Sequence, residues 1–302
     1  MPRLPRFKRS PNVLPIRLTS RDRQILRQVH RHRFLRSSHI TSLLPGSRQQ
    51  TLRRLQLLYH HGYLERPRCQ IDYYHQGGSH VIAYGLGNKG AWFLKREFSL
   101  PYQRFGWLAK QTVQRVFLEH ALMVSDVMVA VELACRNRPR VRLLSTNDMP
   151  DGTKSRREPF QWKVDIGRGR ICGVVPDHVF GLEFPNKSKG WNQIWFCLEA
   201  DRGTTPITRS NPDQSSIHRK FLAYAATWSQ QLHLKHFDWP RFRVLTVTTS
   251  PERREAMRAA CRSLKRGQGL FLFCEAGELA KAGSILDLQW STCGDGKESL
   301  LD

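Results

Sequence analysis

Pro45-Gly46-Ser47-Arg48-Gln49-Gln50-Thr51-Leu52-Arg53-Arg54-Leu55-Gln56-Leu57-Leu58-Tyr59-His60-His61-Gly62 is the stretch that decides how the first hundred residues fold. Pro45-Gly46 forces a turn and Ser47 is a residue that caps helices. Leu52, Leu55 and Leu58 recur at a spacing that places them on one buried stripe. Arg48, Gln49, Gln50, Arg53 and Arg54 are then left on the outward face until Gly62 ends the helix. Arginine and glutamine are the side chains suited to guanine and adenine edges in a major groove.

The segments before this helix lead into it. Thr19-Ser20-Arg21-Asp22 places a hydroxyl cap three positions before an acid, and Ile25, Leu26 and Val29 follow at helical spacing, which predicts a first helix. Ser37 or Ser38 caps a short second helix through Ile40, Leu43 and Leu44. Three short helices in this order predict a helix-turn-helix core. Behind them, Tyr63-Leu64-Glu65 and Ile71-Asp72-Tyr73-Tyr74 read as strands, Gly77-Gly78 as a turn, and His80-Val81-Ile82-Ala83-Tyr84 as the returning strand. A hairpin after a recognition helix is a wing. The blander alternative is a helical bundle with an exposed basic face. A further short helix from Gly85 to Glu97 precedes a linker over 100–106.

Charge points the same way. The 302 residues carry 49 lysines and arginines against 25 acids, a formal charge of +24, which predicts attraction to a polyanion, nucleic acid first. Residues 1–70 hold 16 of those bases and only two acids, Asp22 and Glu65. Residues 1–17 are basic and punctuated by proline, which suits an extended arm. The opening residues form no apolar signal segment, and Ser125, Asp126 and Glu132 interrupt the most apolar run, so the expectation is a soluble, cytoplasmic protein with no membrane partner. Seven cysteines without a Cys-x-x-Cys pair predict reduced thiols rather than a disulfide framework or a zinc site. The absence of a Gly-x-x-x-x-Gly-Lys loop argues against an ATPase.

The second half changes character. A long helix from Leu108 to Arg136 is followed by strand-like runs at 141–146, 174–184, 193–201 and 242–249 and by Gly269 to Cys274, with helical patterns at 214–235 and 251–265. Strands alternating with helices predict an α/β domain. The expected organisation is an arm over 1–17, a winged helix-turn-helix over 18–98, an α/β domain over 107–285 and a tail over 286–302.

Two strand ends carry acids beside apolar sequence: Val174-Val175-Pro176-Asp177, and Ile194-Trp195-Phe196-Cys197-Leu198-Glu199-Ala200-Asp201. Such acids are costly unless paired, protonated or bound to a cation. Alternation puts Glu199 and Asp201 on one face, and Asp177 from a neighbouring strand completes three carboxylates, a set suited to Mg2+ or Mn2+. A hard cation there activates water and stabilises charge on a phosphodiester, with a lysine assisting. Lys220 and Tyr224, one turn apart on the next helix, share a face toward these acids. Glu119, His120 and Asp126 on the long helix are supporting candidates. The structural alternative pairs Asp201 with Arg202 in a turn and has Asp177 cap the segment after Pro176. His30-Arg31-His32 reads as a solvated helix face, and Tyr73-Tyr74 as wing packing.

Asp177 and Glu199, 22 residues apart, resemble the Pro-Asp…(Asp/Glu)-x-Lys pattern of metal-dependent nucleases, except that Asp201 stands where lysine is usual. Together with Thr19, Asp22, Ile25-Leu26, Arg53-Arg54-Leu55, Gly62-Tyr63-Leu64, His120-Ala121-Leu122, Asp126 and Leu198-Glu199-Ala200-Asp201-Arg202-Gly203-Thr204, the chain from about 18 to 250 resembles the replication-relaxation family. The resemblance implies a bacterial plasmid or integrative-element protein that acts in replication or DNA relaxation, with a winged helix joined to a restriction-endonuclease-like α/β domain. It implies double-stranded DNA as partner, other replication or relaxosome proteins beside it, and is compatible with a homodimer. Catalysis as an endonuclease or nickase uses Asp177, Glu199, Asp201 and Lys220. The alternative is a non-catalytic initiator, accessory protein or transcriptional regulator with a decayed nuclease fold.

Overall fold

The computed structural model describes residues 5–11, 13, 15–71, 81–98, 114–149, 160–188, 190–211 and 213–302. They form two compact units, 1–129 and 130–302, divided within one long helix.

The first unit begins with α1 (Ser20–His32), opened by the capping box in which Thr19 accepts from the Asp22 amide while Asp22 accepts from the Thr19 amide. Arg33, at a φ of 65°, breaks the helix and lets the chain enter β1 (Phe34–Arg36), a strand the apolar spacing did not reveal because it is only three residues long. Then come α2 (Ser37–Leu43) and α3 (Arg48–His60), the latter capped by Ser47 as expected. β2 (Leu64–Glu65) and β3 (Ala83–Leu86) follow, and β3 lies between β1 and β2, antiparallel to both. The expected turn of the hairpin and most of its first strand, 72–80, lie outside the described residues. Its root is braced by Gln70, whose side chain donates to the Ala83 carbonyl at 3.0 Å and accepts from the Ala83 amide at 2.7 Å. α4 (Asn88–Phe98) starts later than Gly85 because Ala83–Leu86 is committed to the sheet. α5 (Arg115–Arg136) begins in this unit, where Leu118, Ala121 and Leu122 pack with Phe34 and Ala83.

The arm is not simply solvated. Arg9 donates to the Tyr59 carbonyl at 3.0 Å and the Leu64 carbonyl at 3.3 Å and pairs with Glu65, while the Ser10 amide donates to His60 Nδ1 at 3.1 Å.

The second unit is built on a seven-stranded mixed sheet. Its strands are β4 (Arg142–Leu144), β7 (His178–Glu183), β8 (Gln193–Ala200), β9 (Phe242–Thr248), β10 (Phe271–Glu275), β11 (Trp290–Ser291) and β12 (Lys297–Glu298). They lie side by side in that order; β8, β9 and β10 are parallel and the remaining neighbours antiparallel. A separate hairpin joins β5 (Trp162–Asp165) to β6 (Ile171–Val174). The single strand expected over 174–184 is thus broken at Val175–Asp177, where Pro176 has no amide for a ladder. α6 (Ile217–Ser229) and α7 (Leu232–Phe237) divide the long helical pattern at Gln231, which adopts a φ of 57°. α8 (Pro251–Arg262) and α9 (Ala276–Lys281) complete the unit. Phe221 and Tyr224 of α6, Met257 and Cys261 of α8, and Trp195, Val244 and Phe271 of the sheet share one core with Trp239.

Two expectations are corrected. The supposed tail over 286–302 contributes β11 and β12, because Trp290 and Ser291 extend the sheet edge beside β10. Cys261 and Cys293 form a disulfide, with Cα atoms 5.9 Å apart, since β11 returns the chain alongside α8. No helix among the described residues is long and apolar enough to cross a membrane.

Candidate functional site

The faces of α3 are sorted as its sequence suggests, with one displacement. Thr51, Leu55, Leu58 and Tyr59 form the buried stripe, and Leu52 is only half-buried. Arg48, Gln49, Gln50 and Arg53 are exposed. Arg21 of α1 joins them, donating to Gln50 at 3.1 Å and to the Pro45 carbonyl at 3.2 Å. Arg54, expected outward, turns inward. Its Nε donates to Asp22 Oδ1 at 2.8 Å, its terminal nitrogen to Oδ2 at 2.5 Å and to the Arg17 carbonyl at 3.2 Å. Asp22 is fully buried, so Arg54 is the counter-ion that lets the α1 cap lie in the core.

The acids of the second unit gather where β7 begins and β8 ends. Glu199 is buried and held twice: Lys220 Nζ donates to Oε2 at 2.7 Å and the Tyr224 hydroxyl to Oε1 at 2.5 Å. The shared helical face of Lys220 and Tyr224 thus points as its four-residue spacing predicts. Asp177 accepts from the Ala200 amide at 2.7 Å, tying the entrance of β7 to the end of β8. Burial pushes the Glu199 carboxyl above the usual range, opposed by Lys220 and reinforced by Asp177. Burial also works to lower the Lys220 ammonium, but Glu199, its hydrogen bond, Asp177 and Asp201 leave it raised. Tyr224 is pushed well up, by burial first and then by Glu199, so its hydroxyl stays a donor.

Asp201 forms an ion pair with Arg253. Arg253, in the first turn of α8, donates from Nε to Oδ2 at 2.5 Å and from its terminal nitrogen to Oδ1 at 2.8 Å. Thr248 and the Gly203 amide add donors to Oδ2 at 3.0 and 3.1 Å. Arg253 was missed by sequence reasoning, and no local pattern could have revealed it, because it lies 52 residues from its partner.

Whether these residues suit a divalent cation turns on their free oxygens. Both oxygens of Glu199 and both of Asp201 already accept from donors, and two bases, Lys220 and Arg253, neutralise them. Among the described residues no three His, Cys, Asp or Glu side chains are grouped to hold a metal. In this arrangement the oxygens of Glu199 and Asp201 in the expected three-carboxylate set are already held by donors from Lys220, Tyr224 and Arg253. The supporting candidates are engaged within the first unit. Glu119 pairs with Arg115 at 2.7 Å, and Asp126 pairs with Arg36 and with His39 at 2.8 Å. His120 lies half-buried on α5.

The replication-relaxation family model matches residues 26–238, well over half of the chain. The chain belongs to the replication-relaxation family. This membership associates it with replication or relaxation of plasmid or element DNA. The matched span takes in α3, Asp177, Glu199, Lys220 and Tyr224, and stops short of Arg253. No curated protein and no solved structure matches the chain.

Proposed function

We propose that this chain is a DNA-binding protein of element replication or relaxation. Its first unit acts as a winged helix on duplex DNA, and its second is a restriction-endonuclease-like scaffold whose acids serve architecture. The observation that carries the reading is the two-faced α3: one side is packed into the core, while Arg48 and Arg53 on the other are exposed and have no acid partner among the described residues. The order α1, β1, α2, α3, β2, β3, with a hairpin root behind α3, supports it. Unneutralised arginines on an exposed helix face are suited to phosphates and base edges.

The test is a fluorescence-anisotropy titration of duplex DNA at several salt concentrations. Binding should weaken steeply with salt, and Arg48→Ala with Arg53→Ala should flatten that dependence. A wild-type chain without affinity for duplex DNA at low salt overturns the reading.

A nicking enzyme is the second reading, favoured by Lys220 reaching Glu199. Supercoiled plasmid with magnesium or manganese separates the two. The scaffold reading expects no conversion to open circle, and conversion that disappears in Asp177→Ala replaces it with the catalytic one.

A further inference from the structure

Arg66 follows β2 directly and is only 6% exposed, yet no acid pairs with it among the described residues. Its guanidinium lies between two tyrosine rings, 4.2 Å from the centroid of Tyr59 and 5.2 Å from that of Tyr84. Its hydrogen bonds run to neutral acceptors, the Arg6 carbonyl at 2.5 Å and the Tyr84 hydroxyl at 3.1 Å, and its Nε has no partner. The preceding residue, Glu65, is taken by Arg9. Among the described residues, the other charged groups acting on this pocket are basic: Arg6, Arg9, Arg68 and His61. Burial, then Arg66, holds His60 below its ordinary pKa, which keeps it neutral.

A buried cation among cations is costly unless a counter-ion reaches it. Ring faces attract it but do not neutralise it. What covers it is the arm over residues 5–11, where the Arg6 carbonyl, Arg9 and Ser10 make contacts to residues 59–66. The Arg6 carbonyl therefore stands where an anionic oxygen is the better partner, while Gln70 ties the hairpin root at Ala83.

We propose that Arg66 is a phosphate-binding site at the root of the β2–β3 hairpin, closed by the N-terminal arm and opened when a phosphate displaces the Arg6 carbonyl. That the phosphate comes from a DNA backbone rests on the DNA-binding reading above. The site itself does not.

The experiment uses the full chain and reads trypsin cleavage after Lys8 by mass spectrometry, with inorganic phosphate alone, with a short duplex, and with neither. Duplex should speed cleavage several-fold, because the arm is released. Inorganic phosphate at millimolar concentration should speed it to a smaller extent, with sodium chloride of equal ionic strength as the control. Arg66→Gln keeps donors for the arm but has no charge, so neither ligand should change its cleavage. Its slope of log affinity against log salt should fall by about one. Arg66→Lys, which retains the charge, should restore the slope and serves as the folded reference. Protection of the arm by duplex, or a wild-type salt slope in Arg66→Gln, overturns the proposal. A wild-type chain that releases its arm to inorganic phosphate but binds no duplex overturns the DNA-binding reading while keeping the phosphate site.

Discussion

The two units treat charge in opposite ways. On the helical unit Arg48 and Arg53 of α3 face outward without acid partners among the described residues, while Arg54 turns inward to the buried Asp22. In the α/β unit the buried acids Glu199 and Asp201 each hold a base, Lys220 or Arg253. The difference teaches how to separate a binding surface from a framework. Exposed charge left unmatched costs little and is available to a partner, whereas charge taken out of water is costly until a counter-ion reaches it.

The hardest test of that contrast is Arg253→Met. It strips the guanidinium from a carboxylate only 7% exposed and should cost the α/β unit about 4 kcal/mol in urea unfolding. A variant as stable as the wild type removes the architectural role of Asp201. The matching change in the helical unit is Asp22→Ala, which abolishes the Arg54 pair and the α1 capping box together. Its expected cost is about 3 kcal/mol, somewhat less because the freed Arg54 is partly exposed and can turn to water.

Changes on the outward face should leave stability alone. Arg53→Ala is expected to reduce discrimination between preferred and random duplex by about 1–3 kcal/mol, with an unfolding midpoint like the wild type's. An equal loss on both duplexes makes Arg53 a phosphate contact instead. Tyr224→Phe leaves Glu199 Oε1 without its donor and should cost about 1–2 kcal/mol, measured by thermal unfolding.

The smallest effect is a pH dependence. Burial, then the charges of Arg66, His61 and Arg9, holds His60 below its ordinary value of 6.5. The unfolded chain binds the proton more readily, so this stability is complete above 6.5 and is lost as pH falls through the folded value. His233 and His218 are lowered by burial in the other unit. His60→Gln should flatten the acid limb of the helical unit's stability profile without altering the other unit's, a difference that unit-specific hydrogen exchange between pH 5 and 7 would read.

What the sequence determined by itself is local. The Thr19–Asp22 capping box, the Ser47 cap, the exposure of Arg48, Gln49, Gln50 and Arg53, and the common face of Lys220 and Tyr224 all follow from spacings of three or four residues. Backbone hydrogen bonding and helical periodicity act over that distance, so a single chain carries the information. Alternation along β8 likewise made Glu199 and Asp201 stand out as acids in apolar sequence. The partners of those acids depended on packing. Arg54 and Arg53 are adjacent in a basic helix, and only the docking of α1 on α3 decides which one meets Asp22. Arg253 reaches Asp201 because β9 lies parallel beside β8 and delivers the first turn of α8 to the end of that strand. The same return of the chain sets Cys293 against Cys261 and adds β11 and β12 to the sheet. Arg66 is buried because the arm folds back over the hairpin root. These are meetings of residues tens of positions apart, and local propensity has no term for them; strand order and the burial of charge decide them as each unit folds.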